Sequence, residues 1–240
     1  MPFLTARWEN LILLNYICPA ALLEPLVPAG TDLDTWEGHT LISLVGFLFS
    51  DTRLLGVPVP FHRTFEEINL RFYVRRAIPD HRRAVVFIRE FVPRRAIAAV
   101  AKVIYNEPYK ALPMRHQWSL TTDEGGELRY GWTHDGAECE LGARVNGPAG
   151  RLTLGSEAEF ITEHYWGYTR QRDGGTLEYQ VEHPPWRVWT ATESWFLGPA
   201  AGPYGPEFGA LLTTRPKSAY VAVGSPVAVH HGRRLVLPAG

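Results

Sequence analysis

Four side chains of different chemistry recur at every second position of the stretch FEEINLRFYVR, residues 65–75: Glu67, Asn69, Arg71 and Tyr73. A carboxylate in such a row can take up or release a proton, and a guanidinium can fork onto a carboxylate; an amide and a phenol can fix a ligand by hydrogen bonds. Ile68, Leu70, Phe72 and Val74 alternate with them, and a period of two puts the polar set on one face of a strand and the apolar set on the other. A solvated face with a Glu67–Arg71 ion pair would show the same alternation. Interleaved asparagine and tyrosine favour the wall of a polar pocket, because a solvated face carries interchangeable charges.

Three further stretches carry reactive groups. Lys110 follows Glu107-Pro108-Tyr109, and a lysine attacks carbonyls when burial or a neighbouring cation lowers its pKa, although a lone lysine beside a loop is more often a solvated group. Lys102, Lys110 and Lys217 are the only lysines, so imine chemistry has just three side chains to choose from. His183 closes the alternation Leu177, Tyr179, Val181 and so continues an inward face, as a general acid or base or as a core imidazole with one hydrogen bond. His164, in Glu163-His164-Tyr165, poses the same question. No metal-ligand spacing joins His116, His164, His183 and the His230-His231 pair, and no metal or other cofactor is expected.

The elements that would position these groups are mostly strands. Apolar runs at 8–17 and 41–50 read as strands, the first followed by a short helix over 19–26, and residues 83–92 pair antiparallel with the polar-faced strand. Residues 93–105 carry a helical stripe of Ile97, Val100, Ala101 and Ile104. A meander follows over 115–145, turning near Asp123 and at Asp135-Gly136. Then come a short helix at 156–162, strands at 164–170, 177–183 and 188–196, and closing strands at 219–229 and 234–237. The glycine- and proline-rich segment 198–206 is expected as an irregular loop able to cover a pocket. One domain spanning residues 1–240 is the economical reading, mainly β with a few helices.

A 45% hydrophobic, 12% aromatic composition supplies a core without disulfide staples. The formal net charge of -1 argues against a nucleic-acid footprint. Cys18 and Cys139 are far apart, read as buried small hydrophobes and suit a reducing cytoplasm. No signal-peptide pattern or membrane-length apolar run appears, so neither export nor a membrane partner is expected.

The series Glu67-x-Asn69-x-Arg71-x-Tyr73-Val74, Pro108-Tyr109, Thr162-Glu163-His164-Tyr165 and His183-Pro184-Pro185-Trp186 resembles the YqjF-like bacterial proteins, a domain-of-unknown-function family. That resemblance implies an acetoacetate-decarboxylase-like fold, a bent antiparallel β-barrel or cone with outer helices and an inner cavity. In true acetoacetate decarboxylases the imine-forming lysine directly follows a proline and is activated by a second lysine. Here Tyr109 follows Pro108, Lys110 is one step out of phase and Ala111 stands in the activating position.

The resulting expectation is a cytoplasmic protein with an internal polar pocket for a small organic acid or carbonyl compound. Asn69, Arg71, Tyr73 and Tyr109 would bind the ligand, and Glu67, His183 and Lys110 are the candidate catalytic groups. The alternatives are a carbon–carbon lyase using Lys110 as its imine-forming residue, and a non-enzymatic assembly or regulatory protein. A small-molecule ligand is the expected partner, with a homo-oligomer also allowed.

Overall fold

The computed structural model describes every residue except 77–79, 97, 99–105, 107 and 237–240. In chain order the strands are β1 (Leu4–Ile17), β2 (Thr31–Leu33), β3 (Leu41–Leu54), β4 (Val57–Pro58), β5 (Phe65–Arg76), β6 (Arg83–Val92), β7 (Tyr109–Ala111), β8 (Met114–Thr121) and β9 (Gly125–His134). They continue as β10 (Ala137–Asn146), β11 (Gly150–Arg151), β12 (Trp166–Arg170), β13 (Thr176–Glu182), β14 (Arg187–Thr190), β15 (Glu193–Leu197), β16 (Ser218–Val229) and β17 (Arg233–Arg234). Short helices occupy Ala20–Leu23, Glu157–Thr162, Ala201–Tyr204 and Pro206–Leu212. The helix expected over 93–105 lies largely outside the described residues.

The large sheet closes on itself. Its strands run β16-β1-β3-β5-β6-β12-β13, and β13 returns to β16 through Val181 opposite Val229 and Glu182 opposite Ala228. A second sheet, ordered β15-β10-β9-β8, stands beside this ring. The ring is not antiparallel throughout, as the sequence led one to expect. Gly167 of β12 meets Val85 of β6 in parallel, and β7 also pairs parallel with β6.

Strand β5 separates two cores. Ile68, Leu70, Phe72 and Val74 pack on the outer side with Leu128, Tyr130 and Trp132 of β9 and with Leu141 and Val145 of β10. On its other side, Phe65 and Tyr73 join Phe47, Phe49, Phe160 and Trp186 inside the ring. A fully buried side chain of this kind contributes about 1.5–3 kcal/mol. The alternation of β5 is therefore held by apolar burial on the outer face as well as by the contents of the ring.

Bulges adjust which residues face inward. In β1 the register against β3 shifts between Glu9 and Ile12, and Asn10 sits at φ 54°. Opposite Glu9, Gly224 adopts φ 84°, and a Cβ there would stand 2.0 Å from the Trp8 carbonyl oxygen. Only glycine allows that approach. The extra residue changes the phase, so Trp8 and then Leu11 and Leu13 all face the ring interior, while Ile12 and Leu14 join the outer core.

Two expectations of secondary structure are corrected. Residues 188–196 form two strands in different sheets, because the Ala191 amide donates to Ala219 of β16 while the next amide, of Thr192, donates to Arg144 of β10. The segment 198–206 is partly helical, and Tyr204 packs against Phe91 and Phe196 in the outer core. None of these residues lines the cavity inside the ring. Cys18 and Cys139 are free and buried in the outer core.

Candidate functional site

Inside the ring lies a cavity of about 260 Å³. Glu67, Asn69 and Arg71 of β5 point into it, each less than a tenth exposed. Their neighbours come from other strands: Glu90 of β6 stands opposite both Asn69 and Tyr109, and Tyr109 enters from β7. The rest of the wall is largely aromatic. Trp8 meets Phe47, Phe49 and Trp186 at ring-centroid distances of 5.2, 5.8 and 6.1 Å, and Phe49 stacks on Phe65 at 4.6 Å.

The polar end is organised around Glu67. Asn69 donates from Nδ2 to Oε1 at 3.1 Å, and the Tyr109 hydroxyl donates to Oε2 at 3.0 Å. Burial nevertheless dominates and pushes the carboxyl pKa up to about 7, against the opposing effects of those two donors and of the Arg71 charge. A carboxyl group in this state exchanges its proton near neutrality.

Arg71 is held from the side. Its Nη2 donates to the Ile161 carbonyl at 3.0 Å, in the last turn of the helix Glu157–Thr162, where a cation also suits the helix dipole. Ser156 caps the start of that helix, accepting from the Glu159 amide at 3.2 Å. Arg71 Nε and Asn69 Oδ1 are buried and have no hydrogen-bond partner among the described residues. Such groups are costly to leave dry, and a ligand offering an acceptor to the first and a donor to the second would satisfy both.

The histidines complete this wall. His164 follows the same helix and lines the cavity; burial and the nearby Arg83 and Arg71 charges hold its pKa well below the ordinary histidine value. His183 also lines it, directly after β13 and in phase with Tyr179 and Val181. Its ring stacks on Trp186 at 4.3 Å and lies 4.7 Å from Tyr165, and burial lowers its pKa. Both imidazoles are therefore neutral at pH 7; His183 Nδ1 donates to the Pro184 carbonyl at 3.0 Å, which leaves its Nε2 as an acceptor.

Two predicted residues stand elsewhere. Tyr73 shares the inner face but does not line the cavity. Its hydroxyl pairs with Ser43, and its ring packs against Phe160 and His164. Lys110 projects from the opposite face of β7 to Tyr109, half-exposed, with Nζ 2.9 Å from His134 Nε2 and 4.0 Å from Asp135. It does not line the cavity, nor does Lys217, which pairs with Glu157; Lys102 lies outside the described residues.

Glu90 is the buried acidic residue that sequence reasoning missed. Alternation through Val85 and Phe87 would send Glu90 outward, but the β5–β6 register shifts between Leu70 and Arg71. After that bulge Glu90 and Val92 face the interior and Phe91 the outer core. Among the described residues, no three His, Cys, Asp or Glu side chains gather so as to hold a metal ion, and no helix is long and apolar enough to cross a membrane.

With this geometry in place, comparison with known proteins decides the family. Residues 5–200 match DUF2071, described as an uncharacterised conserved protein. The chain belongs to the DUF2071 family. It is 25% identical over 189 residues to the uncharacterised protein YqjF of Bacillus subtilis strain 168, covering 77% of this chain and 74% of that one. Among solved structures it is similar to the enduracididine biosynthesis enzyme MppR complexed with pyruvate. That match has a TM-score of 0.70 at 13% identity, over 98% of this chain and 91% of the other. An acetoacetate-decarboxylase-like enzyme from Sphingomonas wittichii RW1 matches with a TM-score of 0.68 at 14% identity, over 98% and 94% of the two chains. At such identities the likeness establishes the fold, which is the acetoacetate-decarboxylase-like fold that the DUF2071 motifs implied.

Proposed function

We propose that this DUF2071 protein binds a small organic acid or carbonyl compound in the ring cavity, with the ligand's oxygen atoms accepting from Arg71 Nε and from the second N–H of Asn69 Nδ2, and with Glu67 exchanging a proton beside them. The observation that carries this reading is the buried Glu67, titrating near 7 next to a buried Arg71 whose Nε has no partner among the described residues. The pyruvate complex of the similar MppR supports the ligand class. Two free cysteines and a near-neutral charge suit a cytoplasmic setting.

The charges also assign a pH dependence. A bound carboxylate adds negative charge beside Glu67 and favours its protonated form, so binding takes up a proton and weakens as the pH rises through about 7. A carboxyl group titrating there, next to a bound carbonyl, is also the equipment needed to move a proton on the adjoining carbon. An imine at Lys110 has no support from its position on the outer side of β7.

Titration calorimetry with pyruvate and acetoacetate tests the proposal. The expected result is binding that is tighter at pH 6 than at pH 8 and that Arg71→Met weakens by about 10–100-fold, the worth of a charged hydrogen bond. Borohydride added to the same mixtures is expected to leave Lys110 unmodified by mass. Equal heats from wild type and Arg71→Met would sink the proposal, as would an adduct on Lys110.

A further inference from the structure

The polar end occupies only part of the cavity, and the remainder has a different chemistry. Beyond Glu67, the inward residues of β3 and β5 are Phe47, Phe49 and Phe65, and Trp8 and Trp186 close the circle across from them. These side chains offer no charged group. A three- or four-carbon acid seated at Arg71 would leave that wall facing water or empty space, both unfavourable for a surface of this kind.

The apolar character continues outward. Val59 and His62, on the segment linking β4 to β5, line the cavity and are themselves half-exposed. Phe61 of that segment, and Leu55 and Val57 just before it, stand in solvent, Phe61 at 93% exposure and with φ 61°. A polar-ended, aromatic-walled cavity with apolar side chains on the segment that reaches it fits a ligand with the same two-part character.

Resting on the ligand class proposed above, we propose that the cavity takes an amphipathic acid. Its carboxylate or 2-oxo acid end sits at Arg71, Asn69 and Glu67, and an alkyl or aryl body lies along Phe47, Phe49, Phe65 and Trp8. The aromatic wall selects the length of the body, while Arg71 selects the charge of the head. A cationic head at this position would meet the Arg71 guanidinium and would have to turn to the Glu67 and Glu90 carboxyls instead, so amines of matching length test which charge the head carries.

The test is a homologous series of 2-oxo acids running from pyruvate through 2-oxobutyrate and 2-oxohexanoate to 2-oxooctanoate, with phenylpyruvate. Each is titrated by calorimetry into the full chain at pH 6. The expected result is a Kd that falls by about fourfold for each added methylene until the wall is filled, the worth of burying one CH₂. A heat capacity change that grows more negative along the series should accompany it. n-Alkylamines of matching length are expected not to bind. If pyruvate binds and lengthening leaves Kd flat or raises it, the amphipathic ligand is excluded while the small-acid reading stands. If pyruvate and all longer acids fail to bind, both readings fall. Alkylamines binding as tightly as the acids would overturn the assignment of the head to Arg71.

Discussion

Two glutamates are equally buried in this fold and are held in opposite ways. Glu178 on β13 faces away from the cavity, with Arg233 Nε at 2.7 Å, Nη1 atoms of Arg76 and Arg82 each at 3.7 Å, and the Tyr168 hydroxyl donating at 3.3 Å. Glu67 on β5 has an amide and a phenol as its hydrogen-bond donors, and Arg71 nearby directs Nη2 to a backbone carbonyl instead. Burial alone does not distinguish a structural carboxylate from a reactive one. The two differ in their donors, guanidinium groups at Glu178 and neutral groups at Glu67, and it is at Glu67 that burial raises the carboxyl pKa.

Breaking the structural site should have the largest effect. Glu178→Gln takes the anion from Arg76 and Arg233 while Arg82 keeps Asp80, and removing one partner of a buried ion cluster costs about 3–5 kcal/mol. Arg233 is largely solvated and relaxes into water, which places the expected loss toward the lower end, about 3–4 kcal/mol. Urea unfolding at pH 7 checks it. A loss under about 1 kcal/mol would mean that Glu178 is no more committed to its partners than Glu67, and the contrast would fail.

Glu67→Gln should do the reverse. In the folded chain the Glu67 pKa is raised to about 7, so the folded state holds a proton that the unfolded chain releases in the ordinary carboxylate range. Stability from this group is complete below that range, declines as the pH climbs, and is gone above about 7. A shift of that size is worth about 3 kcal/mol. The variant is expected to match wild type at pH 4 and to exceed it by about 2–3 kcal/mol at pH 8, measured by urea midpoints across the range. His164 and His183 act in the opposite direction, since their lowered pKa values make stability fall as acid is added, and comparing variant with wild type at each pH removes their share. A variant less stable than wild type at pH 8 would show that Glu67 is needed as an anion in the folded chain.

How legible this contrast was in the sequence depends on where the chain keeps its period. In β5 the alternation runs without interruption from Phe65 to Tyr73, so Glu67, Asn69 and Arg71 could be placed on one face before any coordinates. The opposed directions of Tyr109 and Lys110 followed from the same period. Glu90 was hidden by a bulge, because one added residue reverses every later side chain and carries no compositional mark. The strand break at Ala191 and Thr192 was invisible for a related reason: it is made by two successive amides reaching different sheets, a tertiary event. Glycine and proline in 198–206 suggested an irregular loop over the pocket, and they hid both the short helix Ala201–Tyr204 and the packing of Tyr204 in the outer core.

The finest test removes one neutral donor and nothing else. Tyr109→Phe deletes the hydroxyl that donates to Glu67 Oε2 and keeps the ring that packs inside the cluster. That hydrogen bond favours the charged carboxylate, so its loss should raise the Glu67 pKa further, by about one pH unit for a bond worth about 1–1.5 kcal/mol. The pH window over which stability declines would then extend upward by that amount, and the variant would be about 1 kcal/mol less stable than wild type at pH 8.5 yet nearly equal at pH 5. Carbon-13 NMR of the Glu67 carboxyl reads the titration directly. An unchanged titration would mean that the neutral donors do not govern the proton, and the distinction from Glu178 would have to rest on Arg71 alone.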